Sequence, residues 1–427
     1  MDSYQINKIQ IRQLGPAQTP SPLEVKKYYF VDDGEQVLMA STVRELKKQN
    51  DGGPFSFEMA GPRRNLYFQP AATVCGIVSC GGLCPGMNDV IRSLVMTLCH
   101  GYGVPRIIGF RYGFWGLSAE GTASSIALSP ETVKHIHEDG GTCLGSSRGP
   151  QDVSEMVRTL EKSEVKILFV IGGDGTMKGA AAIKQEIERR QLNIGIVCIP
   201  KTIDNDLEYV TRSFGFTTAV EEARKAIAAA HVEARGAMNG IGLVKLMGRH
   251  SGFIAAHAAL SSGDVNFCLV PEKQFILEGE DGLLRKLELR LLKKHHAVIV
   301  VAEGAGQDLL FDGDESDKDR SGNVRLRDIG SFLQEKILSS CAEKKLDVTL
   351  KYIDPSYIIR SLPANALDSA FCMVLGQHAS HAGMAGKTGM MVGHWNGHFT
   401  HVPLEMVVGR RRLLDDETWQ RVLEVTG

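Results

Sequence analysis

The chain has 427 residues, 43% hydrophobic and 23% charged, which is enough apolar material for two ordinary cores and a length that suggests two or three domains. Its 48 basic and 50 acidic side chains leave a net charge of -2, so no overall field recruits nucleic acid or an anionic membrane, and any anion must be captured locally. No apolar run approaches the roughly 20 residues of a membrane span, and Met1 to Gln18 has neither the apolar core of a signal peptide nor the arginine-rich character of a transit sequence.

The cytosol is therefore the expected compartment. Nine scattered cysteines without a CxxC pair read as reduced, packed thiols. Residues 1–70, with "GPAQTPSPLEV" and "NDGGPFSFEMAGPRRNLYFQP", are rich in Pro and Gly and weak in periodicity, which predicts an N-terminal arm outside the domains. From Ala71 the pattern becomes regular. Short apolar, β-branched runs follow in order: "TVCGIVS", "KILFVIG", "IGIVCIP", "IGLVKLM", "NFCLVPE" and "HAVIVVAEG". Helical stretches such as "NDVIRSLVMTLCHGYG", "GTMKGAAAIKQEIERRQ" and "TTAVEEARKAIAAAHVEARG" lie between many of them. This alternation predicts an α/β fold of mainly parallel sheets sandwiched by helices, with ligands beyond the carboxyl ends of the strands.

Three of those ends carry unusual residues. In "VSCGGLCPGMNDVIR", Gly81 and Gly82 close a strand, and Gly86, Asn88 and Asp89 open a helix. Glycines there let backbone N–H groups approach a phosphate, although a tight turn needs them too. In "VIGGDGTMKGA", Gly172, Gly173, Gly175 and Gly179 surround one carboxylate, Asp174. It reads either as a cap of the next helix or as an anchor for magnesium, because an acid inside a phosphate cradle repels its ligand unless a cation stands between them. The third end, "CIPKTIDNDLEYV", places Lys201 and Thr202 beside Asp204 and Asp206, which project from one face if the segment is extended. One carboxylate can accept a hydroxyl proton while the other orients that hydroxyl or the metal, and Thr202 can hydrogen-bond a moving phosphoryl group.

Later features read more plainly. His295 and His296 follow a basic amphipathic helix and suit its negative end. "LFDGDESDKDRSGNVRL" lacks the register of a calcium loop and reads as a solvated insertion. His378 and His381 read as packing or capping groups. His394, His398 and His401 lie on two strands around Asn396-Gly397, a hairpin signal, and not in a metal site.

"GGLCPGMNDVIR", "GGDGT", "PKTIDND", "KLMGRHSGF", "VAEGAGQ" and "YIDPSYIIR" occur in the order found in the 6-phosphofructokinase family, and the chain after residue 70 resembles that family almost throughout. The first motif is most similar to the plant and trypanosomatid branch. The resemblance implies two Rossmann-like domains, 71–214 with 359–409 and 215–358 with 410–427, and an active site in the cleft between them. It implies Asp204 as the base for the sugar 1-hydroxyl, with Asp206 and Thr202 beside it and Arg249 on the transferred phosphoryl group. Met247 and Gly248 would contact the sugar, Glu303 its hydroxyls, and Arg360, Tyr357 and Lys351 the 6-phosphate. Gly81, Gly82, Arg148, Gly173, Asp174, Gly175, Thr176 and Gly179 would line the nucleotide site, with magnesium at Asp174.

The chain departs from bacterial members of the family at three positions. Gly240 and Lys351 stand where those have arginines, and Tyr357 where they have histidine; the bacterial effector residues cannot be carried over. The donor markers are mixed, because Gly175 goes with ATP in this family and Lys201 with pyrophosphate. The expected reaction is phosphorylation of D-fructose 6-phosphate at the 1-hydroxyl by Mg-ATP, in a cytoplasmic homotetramer with no nucleic-acid or membrane partner. The alternatives are a pyrophosphate-dependent enzyme and a catalytically silent regulatory subunit.

Overall fold

A computed structural model describes residues 7–26, 28–48, 54–147, 149–310 and 324–426. The solvated insertion expected after Leu310 falls almost wholly outside them. The chain forms two compact units. The first comprises Met1–Thr202, Leu207–Phe214 and Leu362–Arg411, and the second Ile203–Asp206, Gly215–Ser361 and Arg412–Gly427.

The first unit is built on one ten-stranded sheet. Its centre is five parallel strands in the order Arg106–Phe110, Val74–Ser79, Ile167–Gly172, Gly195–Pro200 and Met390–Trp395. Every residue of Ile167–Gly172 and of Gly195–Pro200 is buried. Uninterrupted apolar runs such as "ILFVIG" have this cause: helices cover both faces of the sheet, so neither side of the strand meets water. Met390–Trp395 turns back into His398–Pro403 through Asn396 and Gly397, both at positive φ (47° and 81°), as the hairpin reading requires.

The N-terminal segment does not stand outside the domains, and this corrects the expected arm. Phe55–Met59 pairs antiparallel with His398–Pro403 and extends the sheet, with Gln36–Leu38 and Asn7–Lys8 added beyond it. Its polar residues conceal the strand. Glu58 is buried, yet it accepts from Arg63 at 2.8 Å and Lys387 at 2.9 Å and faces His401 Nδ1 at 3.0 Å, so its charge is matched inside the protein. Burial alone would raise the Glu58 carboxyl, but His401 and Lys387 outweigh it and hold the group far below the usual carboxylate range. His378 and His381 are partly or fully enclosed nearby. His381 Nδ1 meets the Tyr102 hydroxyl at 2.7 Å, which bears out a packing role.

The second unit has a four-stranded, all-parallel sheet in the order Phe267–Leu269, His296–Ala302, Gly240–Leu246 and Thr349–Ile353. Alternation along the strands divides its core. Val244, Leu246, Val298 and Val300 pack with the helices Phe216–Gly236 and Phe253–Ser262, whereas Ile241, Leu243, Ile299 and Val301 pack with Leu283–Lys294 and Ile329–Glu343. Ile203–Asp206, expected with the first domain, belongs to this unit because Ile203 packs on its core and the Asp206 carbonyl accepts from the Arg412 N–H at 2.9 Å.

All nine cysteines are free, and burial pushes the thiols of Cys80 and Cys268 up to about 12, as expected of packed groups. No described helix is long and apolar enough to cross a membrane.

The buried cluster generates a stability prediction. Glu58→Ala should cost about 3 kcal/mol by leaving the buried Lys387 and Arg63 with only the exposed Asp33 as a carboxylate partner, and Phe55–Met59 should become protease-sensitive. Because the folded Glu58 value is depressed, its contribution is complete above its unfolded value of about 4.3 and fades as the pH falls below it. Urea midpoints between about pH 5 and pH 3 should therefore fall more steeply in the parent protein than in Glu58→Gln; equal slopes would remove Glu58 as the source.

Candidate active site

In the first unit, three neighbouring parallel strands deliver the predicted residues to one edge of the sheet. Val74–Ser79 runs into Cys80–Gly82, Ile167–Gly172 into Gly173 and Asp174, and Gly195–Pro200 into Lys201 and Thr202. Register holds these ends level, with Pro200 opposite Gly172 and Ser79 opposite Ile171. Lys201 is nearly buried, and its Nζ donates to the Gly82 carbonyl at 2.8 Å. Gly81 has φ +85°, and a Cβ there would sit 3.3 Å from Lys201 Nζ, so the turn is shaped around the lysine as well as by backbone need. Thr202, also nearly buried, accepts at its carbonyl from Ser213 Oγ at 2.6 Å.

Asp174 is the first residue of the helix Asp174–Arg189. The cap is Gly173, with no side-chain bond, so Asp174 does not serve as the helix cap. Its Oδ2 instead accepts from Lys178 Nζ at 2.8 Å and its Oδ1 from the Gly409 N–H at 3.0 Å. Burial raises this carboxyl, but Lys178 and Gly409 more than offset it and keep the group below its ordinary range, as an anion at neutral pH. Among the described residues no group of three or more His, Cys, Asp and Glu side chains could hold a metal. A single ionised carboxylate fits magnesium held largely by water and phosphate, and would not fit a metal needing a protein cage.

The four glycines around Asp174 differ in what surrounds them. A Cβ at Gly172 would lie 2.4 Å from the Thr176 side chain, and one at Gly179 would lie 2.5 Å from the Phe114 ring, so both are demanded by packing. A Cβ at Gly173 would meet the Lys201 carbonyl at 3.2 Å. At Gly175 it would meet nothing within 4 Å. Thr176 is buried. Arg148 lies outside the described residues.

In the second unit, Asp204 and Asp206 flank Asn205, whose φ of 56° bends the segment sharply. The Asp204 carbonyl accepts from Ser251 Oγ at 3.1 Å. Met247, Gly248 and Arg249 follow the strand Gly240–Leu246, and Glu303 and Gly304 follow its neighbour His296–Ala302. The two turns are stacked: Glu303 N–H donates to Leu246 O at 2.9 Å and Gly304 N–H to Gly248 O at 3.1 Å, and a Cβ at Gly304 would meet Arg249 O at 2.0 Å. Burial raises the Glu303 carboxyl against the pull of Arg249 and Lys245. Arg249 Nη1 donates to Val324 O at 2.6 Å.

Arg360 lies over the Tyr357 ring, 4.4 Å from its centroid, on the short helix Ser356–Ser361. Lys351 is elsewhere: it is exposed in the middle of Thr349–Ile353, in register with Gly242. Gly240 has a packing cause, because a Cβ there would lie 2.1 Å from the Ala234 carbonyl of the long helix. Any larger residue at 240 requires that helix to move.

Sequence reading missed Lys245, which bridges Asp328 at 3.0 Å and Asp354 at 2.9 Å beside Glu303, and Glu272, which follows Phe267–Leu269. The signal for Lys245 was a lone charge in an otherwise apolar strand. For Glu272 it was an acid just beyond a strand's carboxyl end.

Residues 74–382 match the family profile described as Phosphofructokinase. The chain is 53% identical over 407 residues to an ATP-dependent 6-phosphofructokinase of Borreliella burgdorferi, covering 93% of this chain and 91% of that protein. It is 47% identical to one from Amycolatopsis methanolica (99% and 95% covered) and 44% identical to one from Trypanosoma brucei brucei (100% and 88% covered). A solved pyrophosphate-dependent phosphofructokinase from Marinobacter aquaeolei superposes with a TM-score of 0.67 at 17% identity, over 83% of this chain and 92% of that one, a likeness of fold. With its strand ends carrying the motifs in family order, and with relatives matched along nearly its whole length, the chain belongs to the phosphofructokinase family.

Proposed function

We propose that the chain transfers the γ-phosphoryl group of ATP to the 1-hydroxyl of D-fructose 6-phosphate, giving ADP and fructose 1,6-bisphosphate, the first committed bisphosphate of glycolysis. The open space at Gly175 carries the choice of donor, since a nucleotide needs room there that any side chain would take. Relatives named as ATP-dependent enzymes at 43–53% identity support the same reading.

Asp204 takes the proton of the 1-hydroxyl as the new P–O bond forms, and Asp206 and Thr202 orient the reacting groups. Arg249 stabilises charge on the phosphoryl oxygens. Met247 and Gly248 shape the sugar site and Glu303 accepts from sugar hydroxyls. Arg360, with Tyr357 stacked beneath it, binds the 6-phosphate; Lys351, exposed in the middle of its strand, is left out of that site. Gly81, Gly82, Gly173, Gly175 and Thr176 line the donor site, and Gly179 supports it through Phe114. Magnesium is the proposed cofactor; Asp174 would hold it, and when bound it neutralises phosphate charge. The proposed assembly is a cytoplasmic homotetramer, to which the exposed Tyr357 and Ile358 lend a surface suited to a subunit contact.

Pyrophosphate is the second reading, favoured by Lys201 alone. The lysine is held on the Gly82 carbonyl, where it can meet a phosphate oxygen of either donor, so it excludes neither. A silent regulatory subunit is disfavoured, because Asp174, Asp204, Asp206 and Arg249 are all present.

A coupled assay of the purified protein with each donor should give ATP turnover, with pyrophosphate at least about tenfold poorer in kcat/KM. Gly175→Asp should abolish ATP use through bulk and repulsion; survival of ATP turnover in that variant would end the open-space argument. Asp204→Asn should lower kcat about a hundredfold or more while fructose 6-phosphate still binds, as read by calorimetry. Asp174→Ala should raise the magnesium requirement, and an unchanged magnesium titration would dissociate Asp174 from the metal.

A further inference from the structure

Glu272 makes contacts that a surface acid would not. Both of its carboxylate oxygens lie 3.0 Å from the Gly252 N–H, and Oε1 also accepts from the Leu414 N–H at 2.9 Å. Gly252 caps the helix Phe253–Ser262, and a Cβ on it would lie 2.4 Å from Val270 and 3.1 Å from Glu272 Oε2, so the carboxylate is seated on bare backbone. Each of the two N–H groups leads to one of the aspartates. Next to Gly252 is the buried Ser251, whose Oγ donates to the Asp204 carbonyl at 3.1 Å. Two residues before Leu414 is Arg412, whose N–H donates to the Asp206 carbonyl at 2.9 Å. The Arg412 guanidinium in turn covers the ring of Phe253, 4.7 Å from its centroid, and closes the circuit.

We infer that Glu272 is a positioning residue for phosphoryl transfer: one carboxylate joins the Ser251–Gly252 turn to the 412–414 segment, and together these clamp Asp204 and Asp206 from both sides. The clamp has a physical purpose. Asn205, between the aspartates, turns at φ 56°, a left-handed bend that asparagine tolerates, so the bend alone does not fix the two carboxylates and the flanking backbone contacts must. A base that drifts by about 1 Å loses up to about a hundredfold in rate. The inference rests on the proposed role of Asp204 as base.

The experiment separates reach from charge. Glu272→Gln keeps one oxygen at the Oε1 position, within reach of both N–H groups, but loses the charge and replaces Oε2 by an NH2 that can no longer accept from Gly252; Glu272→Asp keeps the charge but is one methylene too short. Positioning predicts that Glu272→Gln retains kcat within about threefold, whereas Glu272→Asp loses about tenfold or more, with the KM for ATP changed less than about twofold in both. Ser251→Ala, which removes one hydroxyl, should lower kcat about threefold to tenfold, and its effect should be less than multiplicative with Glu272→Asp. If Glu272→Asp fails to fold, as read by circular dichroism, Ser251→Ala and Glu272→Gln decide the matter. The reverse order, with aspartate active and glutamine impaired, would assign the carboxylate to binding a cation and overturn the inference, as would unchanged kcat in Glu272→Asp and Ser251→Ala. Asp204→Asn is assayed alongside: activity in that variant overturns the reading of the base, whereas an inactive Asp204→Asn with a fully active Glu272→Asp overturns the clamp alone.

Discussion

A parallel strand covered by helices on both faces can carry polar groups only at its ends, and in each unit that constraint puts chemistry where the strands stop. Ile167–Gly172 and Gly195–Pro200 are buried throughout, and the first residues released from that rule are Gly173, Asp174, Lys201 and Thr202. The same release produces Met247 to Arg249, Glu303 and Glu272 after the three adjacent strands of the smaller sheet. The charged cluster at the end of "IGIVCIP" is thus a consequence of sheet architecture before it is part of any proposed site.

Much of this was legible in the sequence, because the features that carry it are local. Continuous β-branched runs gave away the central strands, and Asn396-Gly397 disclosed the hairpin through the φ values its turn demands. What stayed hidden depended on partners far along the chain. Glu58 looks like a solvent-facing residue until Lys387 and His401, more than three hundred positions away, are beside it. Glu272 reads as an ordinary loop acid, since the two N–H groups it serves come from separate segments. The four glycines around Asp174 look alike in sequence, but packing against Thr176 and Phe114 accounts for two of them and leaves Gly175 in open space.

The N-terminal segment shows how a composition rule can mislead. Pro and Gly do break up periodicity, yet five residues, "FSFEM", suffice for a strand when a neighbouring edge is available and the one charge among them is matched. Gly240 makes the complementary point. Its lack of a side chain looks like the loss of a binding group relative to bacterial enzymes, but the Ala234 carbonyl already occupies the space where a side chain would begin.

The pairing of Gly195–Pro200 with Met390–Trp395 bears on how the molecule is made. The strand completing the parallel centre of the first unit is synthesised only after nearly all of the second unit, which is inserted between its parts. On a ribosome, the early strands must therefore wait with the backbone N–H and C=O groups of one edge unpaired while nearly all of their sister domain emerges, and long-range pairings of this kind form slowly. The smaller parallel sheet has all four of its strands between Gly240 and Ile353 and can assemble first. The smaller unit can thus close before the larger one, although the larger one begins first along the chain.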